Sequence, residues 1–220
     1  MFTGIIEAIG TIKAINVSSM GARITIDVGS LSMDDVKLGD SIATNGICLT
    51  VVEYGADHFS ADVSNETLKR TGFANYTVGQ RVNLEKAMLP TTRFGGHIVS
   101  GHVDAVAQIS QITDNGNAKD YWISMSEEIA PYIAEKGSIT IDGVSLTVNS
   151  LTEDQFRLTI VPHTSEQTIM PSYVAGTSVN IEVDVMARYI ERLLLKKDNK
   201  HHGASSNVTE ELLARSGFIK

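Results

Sequence analysis

The chain has 220 residues, 42% hydrophobic and 20% charged, the composition of an ordinary globular protein. Its net charge of −8, from 18 Lys and Arg against 26 Asp and Glu, argues against a nucleic-acid partner, because phosphate contact needs a basic surface. No apolar run approaches the roughly 20 residues that span a bilayer, so no membrane segment is expected, and the single cysteine, Cys48, admits no intramolecular disulfide.

The opening MFTGIIEAIG has no basic stretch ahead of its apolar residues, so it does not read as a signal peptide. Phe2 in place of glycine excludes N-myristoylation. With no secretion signal expected, the N-x-S/T sequons at Asn16, Asn65, Asn75 and Asn207 read as chance, and a cytoplasmic location is expected. Apolar and polar residues then alternate over residues 5–12, 23–28, 41–43, 47–54, 59–63 and 81–85, which predicts six short strands separated by Gly, Asn and Asp. A short helix is expected over residues 65–71.

The same series returns after the connecting segment MLPTTRFGG at residues 88–96. Strands are predicted over residues 102–109, 121–125, 138–141, 144–149, 156–161 and 178–183, with a short helix over 164–168. The correspondence is residue for residue. NGICLTV at 45–51 becomes DGVSLTV at 142–148, 97 positions later, and at that offset roughly 20 of about 88 pairs are identical without a gap. Asn-Gly and Asp-Gly ahead of an alternating run are the turn pairs of tight β-hairpins. Six short strands per half favour a closed barrel, since closure leaves no exposed edge. The expected fold is therefore mainly β: two tandem six-stranded, Greek-key-like barrels over 1–96 and 97–184.

Residues 185–220 have a different texture. Over 185–197, Met186, Tyr189, Ile190, Leu193 and Leu194 fall on one stripe at helical spacing, and no equivalent follows the first copy. DNKHHGASSN at 198–207 reads as a flexible link, His201 and His202 as solvated. A last short helix is expected between Thr209 as N-cap and Gly217 as its end.

Phosphate loops, dinucleotide fingerprints, nucleophile elbows and zinc-protease motifs are all missing from the sequence. His97, His102, Asp104 and His163 have metal-ligating chemistry, but a spacing of five puts His97 and His102 on opposite faces of a regular strand, so no metal site is expected. Small polar groups remain at matching positions: Cys48 and Ser145, Thr50 and Thr147, Thr67 and Thr164. Alone, such residues are the solvated face of a sheet. They gain significance only with a ligand that needs two similar pockets.

MFTGIIE, GGHIVSGHVD at 95–104, the paired NGICLTV and IDGVSLTV, and VNIEVD at 179–184 together resemble the riboflavin synthase family of the α-chain type, over about residues 1–195. The resemblance implies a transferase that joins two molecules of 6,7-dimethyl-8-ribityllumazine by moving a four-carbon unit, giving riboflavin and 5-amino-6-ribitylaminouracil. It implies no cofactor and no metal, a homotrimer joined by C-terminal helices, and lumazine synthase as a candidate partner. Two identical substrates facing each other would account for two related barrels, and a donor and an acceptor pocket for the change from Cys48 to Ser145.

Carried over residue by residue, the resemblance gives the first barrel the binding residues Gly4, Ile5 and Ile6, Cys48, Leu49 and Thr50, and Asp62, Val63, Ser64, Asn65, Glu66 and Thr67. The second receives Gly101, His102 and Val103, Ser145, Leu146 and Thr147, and Ile160, Val161, Pro162, His163, Thr164 and Ser165. Lys136 would reach a ligand on a neighbouring subunit. Ser145 and Thr147, with His102 and Asp184, would move protons and activate a nucleophile, Cys48 and Ser41 would contact the partner lumazine, and Phe2 would cover the site. The alternative is a lumazine- or flavin-binding protein of the same fold that does no chemistry.

Overall fold

A computed structural model describes residues 1–201 and 210–217. In the first half the strands are β1 (Ala8–Ser18), β2 (Gly21–Asp27), β3 (Ser41–Thr44), β4 (Ile47–Tyr54), β5 (His58–Ser64) and β6 (Arg81–Lys86), with helix α1 (Asn65–Arg70) after β5. The second half repeats them as β7 (Ala105–Asn115), β8 (Ala118–Ser124), β9 (Ser138–Ile141), β10 (Val144–Leu151), β11 (Gln155–Ile160) and β12 (Ser178–Val183), with α2 (Pro162–Gln167) after β11. Each half closes into an antiparallel barrel with the strand order β1-β2-β5-β4-β3-β6 or its equivalent. Even the irregularities are duplicated: bulges at Ile12/Ala14 and Val51/Glu53 recur at Ile109/Gln111 and Val148/Ser150.

Inward positions of the alternating pattern fill each barrel. Ile12, Ile24, Ile26, Ile42, Phe59 and Leu84 are buried in the first, and Ile109, Ile123, Ile141, Phe156, Leu158 and Ile181 in the second. The two barrels together form one compact unit, Met1–Val185. The division expected at 96/97 therefore separates the two strand series along the chain. It does not separate them in space.

What joins them is a buried polar seam around a local two-fold. Asn45 and Asp142 both take positive φ (45° and 43°) as first residues of the two hairpin turns, each followed by a glycine. The turns pack back to back so closely that a Cβ on Gly46 would stand 2.8 Å from the Gly143 nitrogen, which only glycine avoids. The Asn83 amide donates to the Asp142 carbonyl at 2.9 Å, and the Asn180 amide returns the bond to the Asn45 carbonyl at 2.9 Å. Their side-chain oxygens accept the Ile169 and Gly72 N–H groups, so each asparagine ties one barrel to the other from both ends of its amide. One member breaks the symmetry. Asn45 donates to the Tyr76 hydroxyl at 2.9 Å, whereas Asp142 accepts from the Tyr173 hydroxyl at 2.6 Å.

The predicted first strand of each half starts too early. Residues 5–7 and 102–104 lie ahead of the strands, with only the Glu7 and Asp104 N–H groups bonded to the backbone of the last strand of their barrel, at Leu84 and Ile181. The preceding backbone, at Thr3 and Gly4 and at Ser100 and Gly101, gives its N–H groups to the buried carboxylates of Glu85 and Glu182. The second short helix begins at Pro162, two residues ahead of expectation, because proline is pre-organised for a first helical turn.

Met186–Lys220 forms a second unit. Helix α3 (Val185–His201) runs past the stop expected at 197, so the first four residues of the predicted link are helical. Met186, Tyr189, Ile190, Leu193 and Leu194 are exposed. Helix α4 (Glu210–Arg215) ends as predicted, with Gly217 at φ 77° and its N–H on the Ala214 carbonyl. Thr209, His202 and the rest of the predicted link lie outside the described residues.

Burial pushes the Asp142 carboxyl up to about 7, against the opposing effect of the hydrogen bonds from Tyr173 and Asn180. A raised carboxyl pKa means that the fold prefers the protonated acid. Its contribution is whole below the ordinary carboxylate range and is lost as pH rises through about 7. Asp142→Asn, which copies Asn45, should therefore remove a pH-dependent penalty. The variant's thermal midpoint should exceed that of the unsubstituted chain by several degrees at pH 8 and by much less at pH 4, measured by circular dichroism. An equal difference at both pH values contradicts the assignment.

Candidate functional site

Two cavities lie against equivalent strands. The first, of about 300 Å³, is lined by Ile47 and Cys48 from β4, by Glu66, Thr67, Arg70 and Thr71 around α1, and by Gly101, His102 and Val103. The second, of about 320 Å³, is lined by Gly95, Gly96, Ser138, Ser145, Leu146, Thr147, Asn149 and Thr159. On β3–β4 the pairs Ser41–Thr50 and Ala43–Cys48 are in register, and on β9–β10 Ser138–Thr147 and Thr140–Ser145 match them. Strand alternation turns these side chains away from the barrel core, which is why small polar residues occupy a face that the apolar pattern leaves free.

The grouping expected from the sequence needs correction at one point. Gly101, His102 and Val103 line the first cavity and not the second, and the Gly101 carbonyl accepts the Cys48 N–H at 2.9 Å. Gly4 crosses in the opposite sense, its carbonyl accepting the Ser145 N–H at 2.8 Å. Gly4 and Gly101 have φ of 76° and 83°, and a Cβ on either would fall 2.5 or 2.6 Å from the Cβ of Ser145 or Cys48. Each arm precedes its own barrel in the chain and lies on the other one. Phe2 and Val99 sit where the arms meet, bridged by reciprocal backbone bonds of 2.8 and 3.1 Å, and Phe2 is fully buried against Ala43 and Val99 with Cys48 and Ala87 beside it.

The structure gives the other expected residues the following surroundings. Leu49, Val63 and Ile160 are barrel core. Asp62 is held by a bidentate ion pair with Arg23, at 2.7 and 2.8 Å. Ser64 caps α1, accepting the Thr67 N–H at 3.1 Å, and Asn65 donates to the Ser19 carbonyl at 3.0 Å. Thr50 is exposed on the face of Cys48. Val161, Pro162, His163, Thr164 and Ser165 form the entry and first turns of α2 and are not among the lining of the second cavity. Ile5 lines a further cleft of about 390 Å³ that shares Gly95 with the second cavity, and Ser41 borders one of about 200 Å³ beside Lys86. Lys136 has φ 64° at the position where the first barrel has Gly39, a conformation that costs a side-chain-bearing residue about 1–2 kcal/mol.

His102 lines the cavity of Cys48, so within one chain it is grouped apart from Ser145 and Thr147. The imidazole beside Ser145 is that of His97. Its Nδ1 lies 2.7 Å from Ser145 Oγ and its Nε2 3.1 Å from Thr140 Oγ1. Both ring nitrogens thus have hydroxyl partners, one of them a hydroxyl in the cavity wall. The sequence offered His97 only as a metal-ligand type; the GGH triplet at 95–97, next to two lining glycines, was the available signal. Burial pushes the His97 imidazole below its ordinary value, while the charge of Asp184 acts in the opposite direction. A neutral imidazole in contact with a serine hydroxyl can take its proton as the oxygen attacks an electrophile.

The family described as "Lumazine binding domain" matches the chain twice, at residues 3–87 and 100–184. The riboflavin synthase of Photobacterium phosphoreum is 57% identical over 219 residues, covering 100% of both chains. That of Bacillus subtilis (strain 168) is 44% identical over 219 residues, covering 99% of this chain and 100% of its own. Among solved structures, LumP complexed with riboflavin superposes with a TM-score of 0.77 at 26% identity, over 83% of this chain and 99% of that one.

The electrostatics of the Ser145 dyad can be read directly. In an NMR pH titration His97 should titrate below the ordinary histidine value, and Asp184→Asn should lower it further by removing the charge that raises it. A midpoint unmoved or raised in Asp184→Asn would show that the aspartate does not act on this ring.

Proposed function

The chain belongs to the lumazine-binding domain family, as a riboflavin synthase with the domain in two copies, and we propose that its two cavities are the donor and acceptor sites of that transferase reaction. The reaction takes two molecules of 6,7-dimethyl-8-ribityllumazine to riboflavin and 5-amino-6-ribitylaminouracil. The observation that carries the proposal is that two cavities of similar size stand on equivalent strands, one presenting Cys48 and the other Ser145 three residues after matching turns. LumP, complexed with riboflavin, favours a second reading in which the chain only binds such ligands. The end-to-end match with riboflavin synthases supports the enzyme.

Holding two substrates face to face supplies the largest part of the rate, since well-oriented pairs reach effective molarities of about 10⁵–10⁸ M. In the second cavity Ser145 Oγ, with His97 to receive its proton, supplies a nucleophile, and Thr147 shares its face. In the first, Cys48 and His102 face the other substrate. A reacting pair between the first barrel of one chain and the second barrel of another brings His102 and Cys48 towards Ser145, Thr147 and His97. The apolar stripe of α3 suits the trimer that this arrangement needs. A cytoplasmic location and association with lumazine synthase belong to the same proposal.

Mixing the protein with dimethylribityllumazine and following riboflavin absorbance separates the enzyme from the binding protein, which gives no product. Ser145→Ala and Cys48→Ala should both fold, yet lower single-turnover rates unequally, Ser145→Ala by at least about tenfold because it also deprives His97 of one of its two hydroxyl partners. Two variants with undiminished rates would remove both residues from the chemistry. Truncation after Asp184 should leave both barrels folded and abolish trimer and turnover together; a trimer by light scattering would release α3 from that role.

A further inference from the structure

Glu85 and Glu182 are buried carboxylates on the last strand of each barrel, and the reaction leaves them without a role. Glu85 accepts the Thr3 N–H and hydroxyl at 2.7 Å each and the Gly4 N–H at 3.0 Å. Glu182 accepts the Ser100 N–H at 2.6 Å and hydroxyl at 2.7 Å, the Gly101 N–H at 2.9 Å and the His102 N–H at 3.0 Å. An ionised carboxylate is acceptor-only with two oxygens, so it can gather a run of backbone donors that no strand pairs.

Each run belongs to a crossing arm. The residue that gives its N–H to the glutamate of its own half, Gly4 or Gly101, gives its carbonyl to the hairpin of the opposite half, at Ser145 or Cys48. Gly101, His102 and Val103 thereby form a wall of the first barrel's cavity, although the carboxylate that fixes them is built into the second barrel. We propose that Glu85 and Glu182 are positioning residues that act crosswise: Glu182 sets ligand affinity in the first barrel's cavity, and Glu85 sets it in the second's. This rests on the reading of the cavities as ligand sites.

A glutamine in either place keeps the shape but turns one acceptor into an NH₂ group that faces backbone donors, so the arm loses its hold. A residue that only supported the fold would disturb both cavities alike. The crossed pattern is therefore the discriminating readout, and Cys48, the only cysteine and part of the first cavity's lining, reports on it.

The test is alkylation of Cys48 by iodoacetamide in the full-length protein, with increasing riboflavin, followed by mass spectrometry. In the unsubstituted chain riboflavin should protect Cys48. Glu182→Gln should raise the concentration for half-protection by about tenfold or more, one lost charge-assisted bond being of that size, while Glu85→Gln should leave it within about twofold. Calorimetry of Glu85→Gln should then show weakening of the binding event that does not protect Cys48. Equal shifts in both variants, or a larger one in Glu85→Gln, overturn the proposal. If Glu182→Gln does not fold by circular dichroism, Glu182→Asp, which keeps two acceptor oxygens on a shorter stem, is read by the same criterion against Glu85→Asp. Absence of protection in the unsubstituted chain overturns the ligand-site reading itself, an outcome distinct from protection that Glu182→Gln leaves unchanged.

Discussion

The amides of Asn83 and Asn180 each bridge from their own barrel to the hairpin turn of the other, at 2.9 Å, in a place from which water is excluded. A buried amide left unpaired costs about 1–3 kcal/mol, so the two barrels can meet only in the register that satisfies both asparagines at once. That register seats the Asn-Gly and Asp-Gly turns back to back and starts β4 and β10 from one shared point. Cys48 and Ser145, three residues on, inherit their placement from it. The arms carrying Phe2 and Val99 then cross onto the opposite barrel, and the first cavity is closed by chain that the second half supplies.

Much of this was legible in the amino-acid pattern. The strands at 47–54, 138–141 and 178–183 match their predicted bounds, because turn residues bracket each apolar run. The constant offset of 97 carried the six strands and the short helix of one half to the other, to within a residue. The crossing of the arms was not legible. Residues 5–6 and 102–103 read as the beginnings of strands and, with Gly4 and Gly101, group in the sequence with the barrel that follows them. Apolar alternation records which side of a segment is buried and says nothing about which barrel buries it. Their real partners are carboxylates about 80 residues away, Glu85 and Glu182, which in the sequence look like ordinary charged strand residues. His97 escaped for a related reason: its value lies in two hydroxyl neighbours, Ser145 and Thr140, brought in by a strand pair 43 and 48 positions on.

Several of the differences between the copies change the polar groups in or near the cavities. Ala43 faces Cys48 in the first barrel, whereas Thr140 faces Ser145 in the second and binds His97. Ala87 corresponds to Asp184, whose charge reaches His97. Gly39 corresponds to Lys136, a lysine kept in a left-handed conformation that glycine adopts freely. Arg23 and Asp62 pair across β2 and β5, while in the second barrel Asp120 is the acid, held by Arg157 and Thr159. Shared framework with unlike polar walls is what a reaction between two identical molecules in unlike roles requires. The first cavity offers a thiol and an exposed helix bearing the Glu66–Arg70 ion pair, and the second a serine whose hydroxyl is in hydrogen-bond contact with an imidazole.

The central claim is that each substrate site is assembled from one barrel and the arm of the other. A crystal structure of the full chain with 6,7-dimethyl-8-ribityllumazine tests it most directly. The account predicts a ligand in the first barrel that touches Cys48 together with residues 101–103, and one in the second that touches Ser145 together with residues 4–6. A ligand bound to Cys48 and residues 4–6, with 101–103 turned to the second barrel, would contradict it.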